Sequence, residues 1–298
     1  MEIEAYLATK ALLEEVGTTP KPGLVDRFHN GGHTDMDYHT FVASATALEP
    51  FFSQMAEVGG AWTNSLQTLF SKVRAIGVGA EQAMLVATGG VNTHKGLLFS
   101  AGLLCSVSAY AKRNYHSTDP FLLCSLVADM TFLTLEDEFA RIGEKTKKTH
   151  GEELFSRYGI RGIRGEVQQG FPSVRLYGLP VYANYLAEGV DPNLARIQTL
   201  LNLMAQVQDT NILYRHDEKT LAQVQASSQR ILAEGGMFSS KGRHLFSLLD
   251  TELSSKKISP GGCADLLGIT ILLHDLQVLD MQGEGNMATF ASYGILEA

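Results

Sequence analysis

Ser259-Pro260-Gly261-Gly262-Cys263-Ala264-Asp265-Leu266-Leu267-Gly268-Ile269-Thr270-Ile271-Leu272-Leu273-His274 decides the fold class. Serine followed by proline starts a helix, because proline's fixed φ and missing N–H suit the first helical position. Leu266, Leu267, Ile269, Ile271, Leu272 and Leu273 are too continuous for a helix with a wet side, so the segment is read as a core helix. His274 within that run reads as a satisfied core or interface histidine. The apolar stretch from Leu97 to Ala111 predicts a second core helix.

Around these two, the remaining periodicity is also helical. Tyr6, Ala8, Leu12, Leu13 and Val16 share one helix face that Gly17 stops, and Asp37 caps a helix carrying Phe41, Val42, Ala45, Leu48 and Phe52. Leu66 to Ile76 forms a third segment. Asp119-Pro120 and Asp191-Pro192 start two more, and Thr149 with Glu152 has capping-box spacing. Alternating β-branched runs with hairpin turns are missing. The expectation is an all-α chain, one domain over residues 1–298, a multi-helix bundle with glycine-rich loops as its active-site candidates.

A chain of 298 residues with 45% hydrophobic and 19% charged content is long enough for a large core, which excludes disorder as the main state. Its formal net charge of −8, without a basic run, argues against nucleic acid and against a polybasic membrane surface. Met1-Glu2-Ile3-Glu4 lacks the basic start of a signal peptide, and no uninterrupted apolar run reaches the length of a membrane span. A cytoplasmic location is expected. Cys105, Cys124 and Cys263 are odd in number and widely separated, so they read as small buried hydrophobes.

Glycine is the unusual component, with 29 residues against an average near 7%. Gly17, Gly23, Gly31 and Gly32 surround Pro20-Lys21-Pro22-Gly23-Leu24-Val25-Asp26-Arg27, where prolines stiffen the backbone beside a lysine suited to phosphate. Gly89-Gly90-Val91-Asn92-Thr93-His94-Lys95-Gly96 runs into a helix start, a natural anion site, although it is not a P-loop. His94 there is a base, a phosphate contact or a helix cap. Arg161 and Arg164 lie in a third glycine-rich bend with Glu166, which is either a reacting group or an ion-pair partner. Asp209-Thr210-Asn211 supplies hard oxygen donors, and Asp265 stands in the first turns of the apolar helix, where its charge needs a partner, a metal or a cleft. Glu136, Asp137 and Glu138 read as a solvated helix face. The signatures of zinc proteases, α/β-hydrolases and Rossmann enzymes are not found.

Taken in order, Pro20–Arg27, Gly90–Gly96, Arg164-Gly165-Glu166, Asp209-Thr210-Asn211 and Ser259-Pro260-Gly261-Gly262-x-Ala264-Asp265-Leu266-Leu267 resemble the triphosphoribosyl-dephospho-CoA synthase family, over about residues 10–275. The resemblance implies a helical transferase that joins ATP to 3′-dephospho-CoA, releases adenine, and links the triphosphoribosyl group to the CoA ribose 2′-hydroxyl. Its product is the prosthetic-group precursor of citrate lyase or malonate decarboxylase, to be passed on by an acyl carrier protein transferase. Such a reaction has an oxocarbenium-like sugar and an intact triphosphate, so it needs a carboxylate, a base and cations, with Mg²⁺ inferred as cofactor. On this basis Lys21, Arg27, Asn92, Lys95, Arg161, Arg164, Asn211, Gly261 and Gly262 are candidates for binding the phosphates of ATP and dephospho-CoA. Asp209 and Asp265 are candidates for metal binding or stabilisation of the sugar cation, and Asp26, Glu166 and His94 for the base. An ATP-dependent phosphotransferase and a non-catalytic nucleotide-binding protein are the alternatives; a homo-oligomer is compatible with either.

Overall fold

Residues 2–282 are described by the computed structural model of the chain, and thirteen α-helices account for most of them. Five long helices come first: α1 (Ile3–Gly17), α2 (Tyr38–Gly60), α3 (Leu66–Ala87), α4 (Lys95–Tyr115) and α5 (Pro120–Ala140). Three short ones follow, α6 (His150–Tyr158), α7 (Gly162–Gln168) and α8 (Leu179–Ala187). Then come α9 (Pro192–Gln206), α10 (Thr210–Arg215), α11 (Glu218–Ala233), α12 (Ser240–Ser255) and α13 (Gly261–Gln282). No strand occurs among the described residues, so the all-α expectation holds.

The helix starts follow the local chemistry. Asp37, Asp119 and Asp191 each accept backbone N–H groups at the heads of α2, α5 and α9. Thr149 and Glu152 form the reciprocal capping box of α6. One start differs from expectation. Ser259 does not serve α13 as a conventional cap, since its hydroxyl meets His33 Nε2 at 3.0 Å, while the Cys263 N–H in the first turn donates to Asp209 Oδ2 at 2.8 Å.

The main core is a cluster around α4 and α13, with a smaller separate one of Val16, Val25 and Met36. Leu97, Leu98, Leu103, Leu104, Cys105 and Val107 are buried on successive sides of α4, which is why that segment carries almost no polar face. Leu266 to Leu276 do the same on α13, which packs against α1, α4, α8 and α9. By length and composition alone α13 could cross a membrane, yet 61% of its apolar window is buried inside the bundle. Glycine allows the closest helix approaches: a Cβ at Gly59 would lie 2.0 Å from the Ser106 carbonyl oxygen, joining α2 to α4. Similarly, Gly268 receives Leu97, with only 2.8 Å available to a Cβ, so the first turn of α4 is pressed against α13 two turns in from its start. The three cysteines are buried, as expected of small hydrophobes, and the Cys263 thiol is pushed well up by burial and then by Asp209. The segment after Gln282, including Gly283 to Asn286, lies outside the described residues.

Candidate active site

The beginnings of α4, α6, α7, α10 and α13 all face one cleft of about 1290 Å³. Free N–H groups and the positive ends of the helix dipoles therefore collect on its walls, an arrangement suited to anions. The volume exceeds the roughly 300–1,000 Å³ of ordinary small-molecule sites and leaves room for two ligands. Seven lysine or arginine residues and seven aspartate or glutamate residues line it, so the cleft lacks the acidic excess of the chain as a whole.

Asp265 projects from the second turn of α13 against the backbone of Gly96 on α4; a Cβ at Gly96 would fall 2.2 Å from its Oδ2. Partly exposed to the cleft, its carboxyl has no hydrogen-bond partner among the described residues. Burial, then Glu15 and then Asp209, pushes it well above the ordinary carboxylate range. Asp209 is the opposite case. Its Oδ1 accepts from Asn211 N (2.8 Å) and Ile212 N (3.1 Å), and its Oδ2 from Cys263 N (2.8 Å), so one carboxylate caps α10 and ties it to α13. Burial still leaves its carboxyl raised. Gly262 makes room for this contact, a Cβ there lying 3.1 Å from Asp209 Oδ2, and Gly261 packs on Asn211, with 2.4 Å available.

His94 precedes α4 and is 1% exposed. The helix-cap reading fails: its side chain caps nothing, and Asn92 Oδ1 instead accepts from Lys95 N at 3.2 Å. Ser44 Oγ lies 2.7 Å from His94 Nδ1, and Phe41 packs edge-on against the ring. Burial, assisted by Lys21, pushes the imidazole down to about 3, so it is neutral near pH 7. Glu166, also on the cleft lining, accepts from the Ser173 hydroxyl (2.6 Å) and Ser173 N (3.1 Å). Burial raises its carboxyl despite these bonds.

The cations divide into groups. Lys95 reaches Glu81 at 2.5 Å but is more than half exposed on the cleft wall. Arg161 holds Glu136 through both guanidinium nitrogens and stacks on Phe139, and Arg164 stands 3.5 Å from Glu152 and 3.7 Å from Glu138. Glu136 and Glu138 are therefore paired with the basic bend, which a reading as a simply solvated face had missed. Lys21 lines the cleft but is 1% exposed and engaged by the Glu15 carboxylate at 2.5 Å and the Glu15 carbonyl at 2.8 Å. A freely reaching phosphate contact is not what the structure makes of it.

Arg27 and Asp26 are not brought to the cleft. Arg27 turns outward over Tyr38. Asp26 is buried inside its own turn, accepting from the N–H groups of Lys21, Phe28 and His29 and pairing with the His29 ring at 3.1 Å, so it organises a loop and is unsuited to be the base. The adjoining glycines pack on protein: Gly23, at φ +71°, would place a Cβ 2.3 Å from the Ile258 carbonyl oxygen.

Three residues at or behind the cleft escaped the sequence reading. Glu15 lies on the buried face of α1, among Ala8, Ala11, Leu12 and Val16, a mismatch that could have flagged it. Ser44, buried behind His94, interrupts the apolar face of α2 in the same way, and Tyr214 stacks on His150 at 3.8 Å between centroids, a pairing across 64 residues that no local pattern announces.

The sequence matches the family described as ATP:dephospho-CoA triphosphoribosyl transferase over residues 2–283. This chain belongs to that family. Similar proteins include the probable 2-(5″-triphosphoribosyl)-3′-dephosphocoenzyme-A synthase of Streptococcus mutans, 37% identical over 92% of this chain and 96% of its own length. The protein of the same name from Vibrio cholerae is 39% identical over 91% of this chain and 87% of its own, and that of Streptococcus pyogenes 38% over 92% and 97%. No solved structure matches. Membership makes the chain a triphosphoribosyl transferase acting on ATP and dephospho-CoA, and the phosphotransferase and adaptor alternatives are not supported.

Proposed function

We propose that this cleft carries out the transfer with Asp265 at the reacting sugar and Glu166 as the base. The C1′–N9 bond of ATP breaks, adenine leaves with the bonding pair, and the 2′-hydroxyl oxygen of dephospho-CoA bonds to C1′ while its proton passes by way of Glu166 to the departing adenine. The observation carrying this reading is Asp265, a carboxyl without a partner facing a cleft where helix N-termini converge. A carboxylate beside an oxocarbenium-like carbon stabilises developing positive charge. Burial raises the proton affinity of Asp265, and a cationic transition state beside it would favour the ionised form. Glu166 has a raised proton affinity, as a base working near neutrality requires, and Ser173 orients it.

The triphosphate is assigned to the first turns of α4 and α13 with Lys95, and dephospho-CoA to the wall carrying Arg161 and Arg164. Holding phosphate by N–H groups and cations favours positioning without attack at phosphorus. No cluster of three or more metal-ligating side chains occurs among the described residues. A Mg²⁺ ion fits here only in the manner typical of that ion, held mainly by substrate phosphates with one carboxylate, Asp265, beside it. When bound it would neutralise triphosphate charge; Asp209, committed to three backbone N–H groups, is a poor second ligand. The cytoplasm is the compartment that supplies both substrates, and the product would pass to an enzyme loading an acyl carrier protein.

Incubation with ATP, Mg²⁺ and dephospho-CoA tests the proposal. Free adenine with a triphosphoribosylated CoA product is expected; ADP or AMP without adenine would overturn it.

A further inference from the structure

We infer that Thr93 and Ser44 fix the tautomer of His94, so that its Nε2–H serves as a hydrogen-bond donor to a phosphate oxygen of the triphosphate; the phosphate part rests on the transferase reading above. Thr93 Oγ1 donates to Ser44 Oγ at 2.7 Å, and Ser44 Oγ stands 2.7 Å from His94 Nδ1. A hydroxyl has one proton to give. Among the described residues the Ser44 hydroxyl has no hydrogen-bond partner besides Thr93 Oγ1 and His94 Nδ1. That nitrogen is therefore the acceptor, and the neutral ring carries its own proton on Nε2.

Nε2 is buried with no partner among the described residues. An unsatisfied buried donor is costly, and native structures keep one where a ligand completes it. The ring lines the cleft immediately before α4, beside the first-turn N–H groups that favour an anion. Phe41, at 4.9 Å between centroids, restricts its tilt, and Lys21 nearby disfavours a second proton. The same geometry removes His94 from the candidate bases, because Nδ1 already accepts a proton and Nε2 already bears one. His94 acts as a neutral donor, with Ser44 and Thr93 as positioning residues.

The test uses the full chain with ¹⁵N-labelled histidine rings, the His94 signals being assigned with His94→Gln. In the ligand-free protein Nδ1 is expected to be unprotonated and Nε2 protonated, whatever reaction the enzyme performs. Tripolyphosphate should shift the Nε2–H signal, whereas adenine should not. Thr93→Val, a nearly isosteric change at a partly buried position, and Ser44→Ala should each yield mixed tautomers and raise the KM for ATP about tenfold or more, with Thr93→Ser retaining both properties. A proton on Nδ1 in the wild type, or tautomers unchanged in both variants, would overturn the relay. A response to adenine alone would overturn the phosphate assignment. Absence of adenine release by the wild type, with the tautomer as expected, would instead overturn the transferase reading.

Discussion

Asp209 at the head of α10 and Asp265 in the second turn of α13 both meet the beginning of α13 and both carry carboxyls raised by burial, yet they do opposite work. Asp209 has three backbone N–H partners and joins two helices. Asp265 has none and faces the cleft. The lesson concerns what makes a buried acid reactive: satisfied lone pairs make an acid structural, and unsatisfied ones leave it available to a ligand.

Asp265→Asn breaks this comparison most sharply. The shape survives while the carboxylate is lost, so adenine release should fall about 10³-fold. Stability should hold or rise. A folded-state carboxyl raised above its unfolded value favours folding while protonated and loses that advantage as pH rises from the ordinary carboxylate range through the folded value. At neutral pH the wild type bears that cost and Asn does not. A lower melting temperature in Asp265→Asn at pH 7.5 would place Asp265 with Asp209 among the structural acids.

Gly96→Ala approaches the same carboxyl from its neighbour. The added Cβ would lie 2.2 Å from Asp265 Oδ2, so the carboxylate has to turn away while the helix backbone remains favourable. Turnover should drop about 10- to 100-fold with the KM for dephospho-CoA nearly unchanged. Normal turnover would mean that the position of Asp265 is not critical.

For Asp209→Asn the effect should move to stability. One of the three accepting positions becomes an NH₂ group facing a backbone N–H, which costs about 2 kcal/mol, measurable by urea denaturation. Residual activity per folded molecule should greatly exceed that of Asp265→Asn. Equal loss of turnover in two well-folded variants would erase the distinction between the acids.

The difference between these acids was only half legible in the sequence. That Asp265 interrupts an apolar helix was visible, because a charge among leucines violates the pattern that puts a helix in a core. That Asp209 caps α13 as well as α10 was not, because Cys263 lies 54 residues away and only tertiary packing joins them. The helices themselves were readable from their caps and periodicity, which are local. Glycines were readable as markers but not as roles: Gly23 and Gly31 have other backbone where a Cβ would be, while Gly89 and Gly90, at positive φ, have nothing within 4 Å. Composition cannot separate a glycine that admits a neighbouring chain from one that leaves open space.

The smallest expected effect separates the cations by the same criterion of availability. Lys95 and Arg27 are equally attractive as phosphate ligands in sequence, since each lies in a glycine-marked motif beside a helix. Lys95 lines the cleft with an exposed ammonium shared only with Glu81, whereas Arg27 turns outward over Tyr38. Exchanging Glu81 for a triphosphate costs Lys95 little, because a surface ion pair contributes at most about 1 kcal/mol. Lys95→Ala should therefore raise the KM for ATP several-fold, and Arg27→Ala should leave both kcat and KM within about twofold of wild type. A large KM effect at Arg27 would require the loop of residues 26–32 to fold over bound substrate, bringing in a cation that the ligand-free arrangement holds away from the cleft.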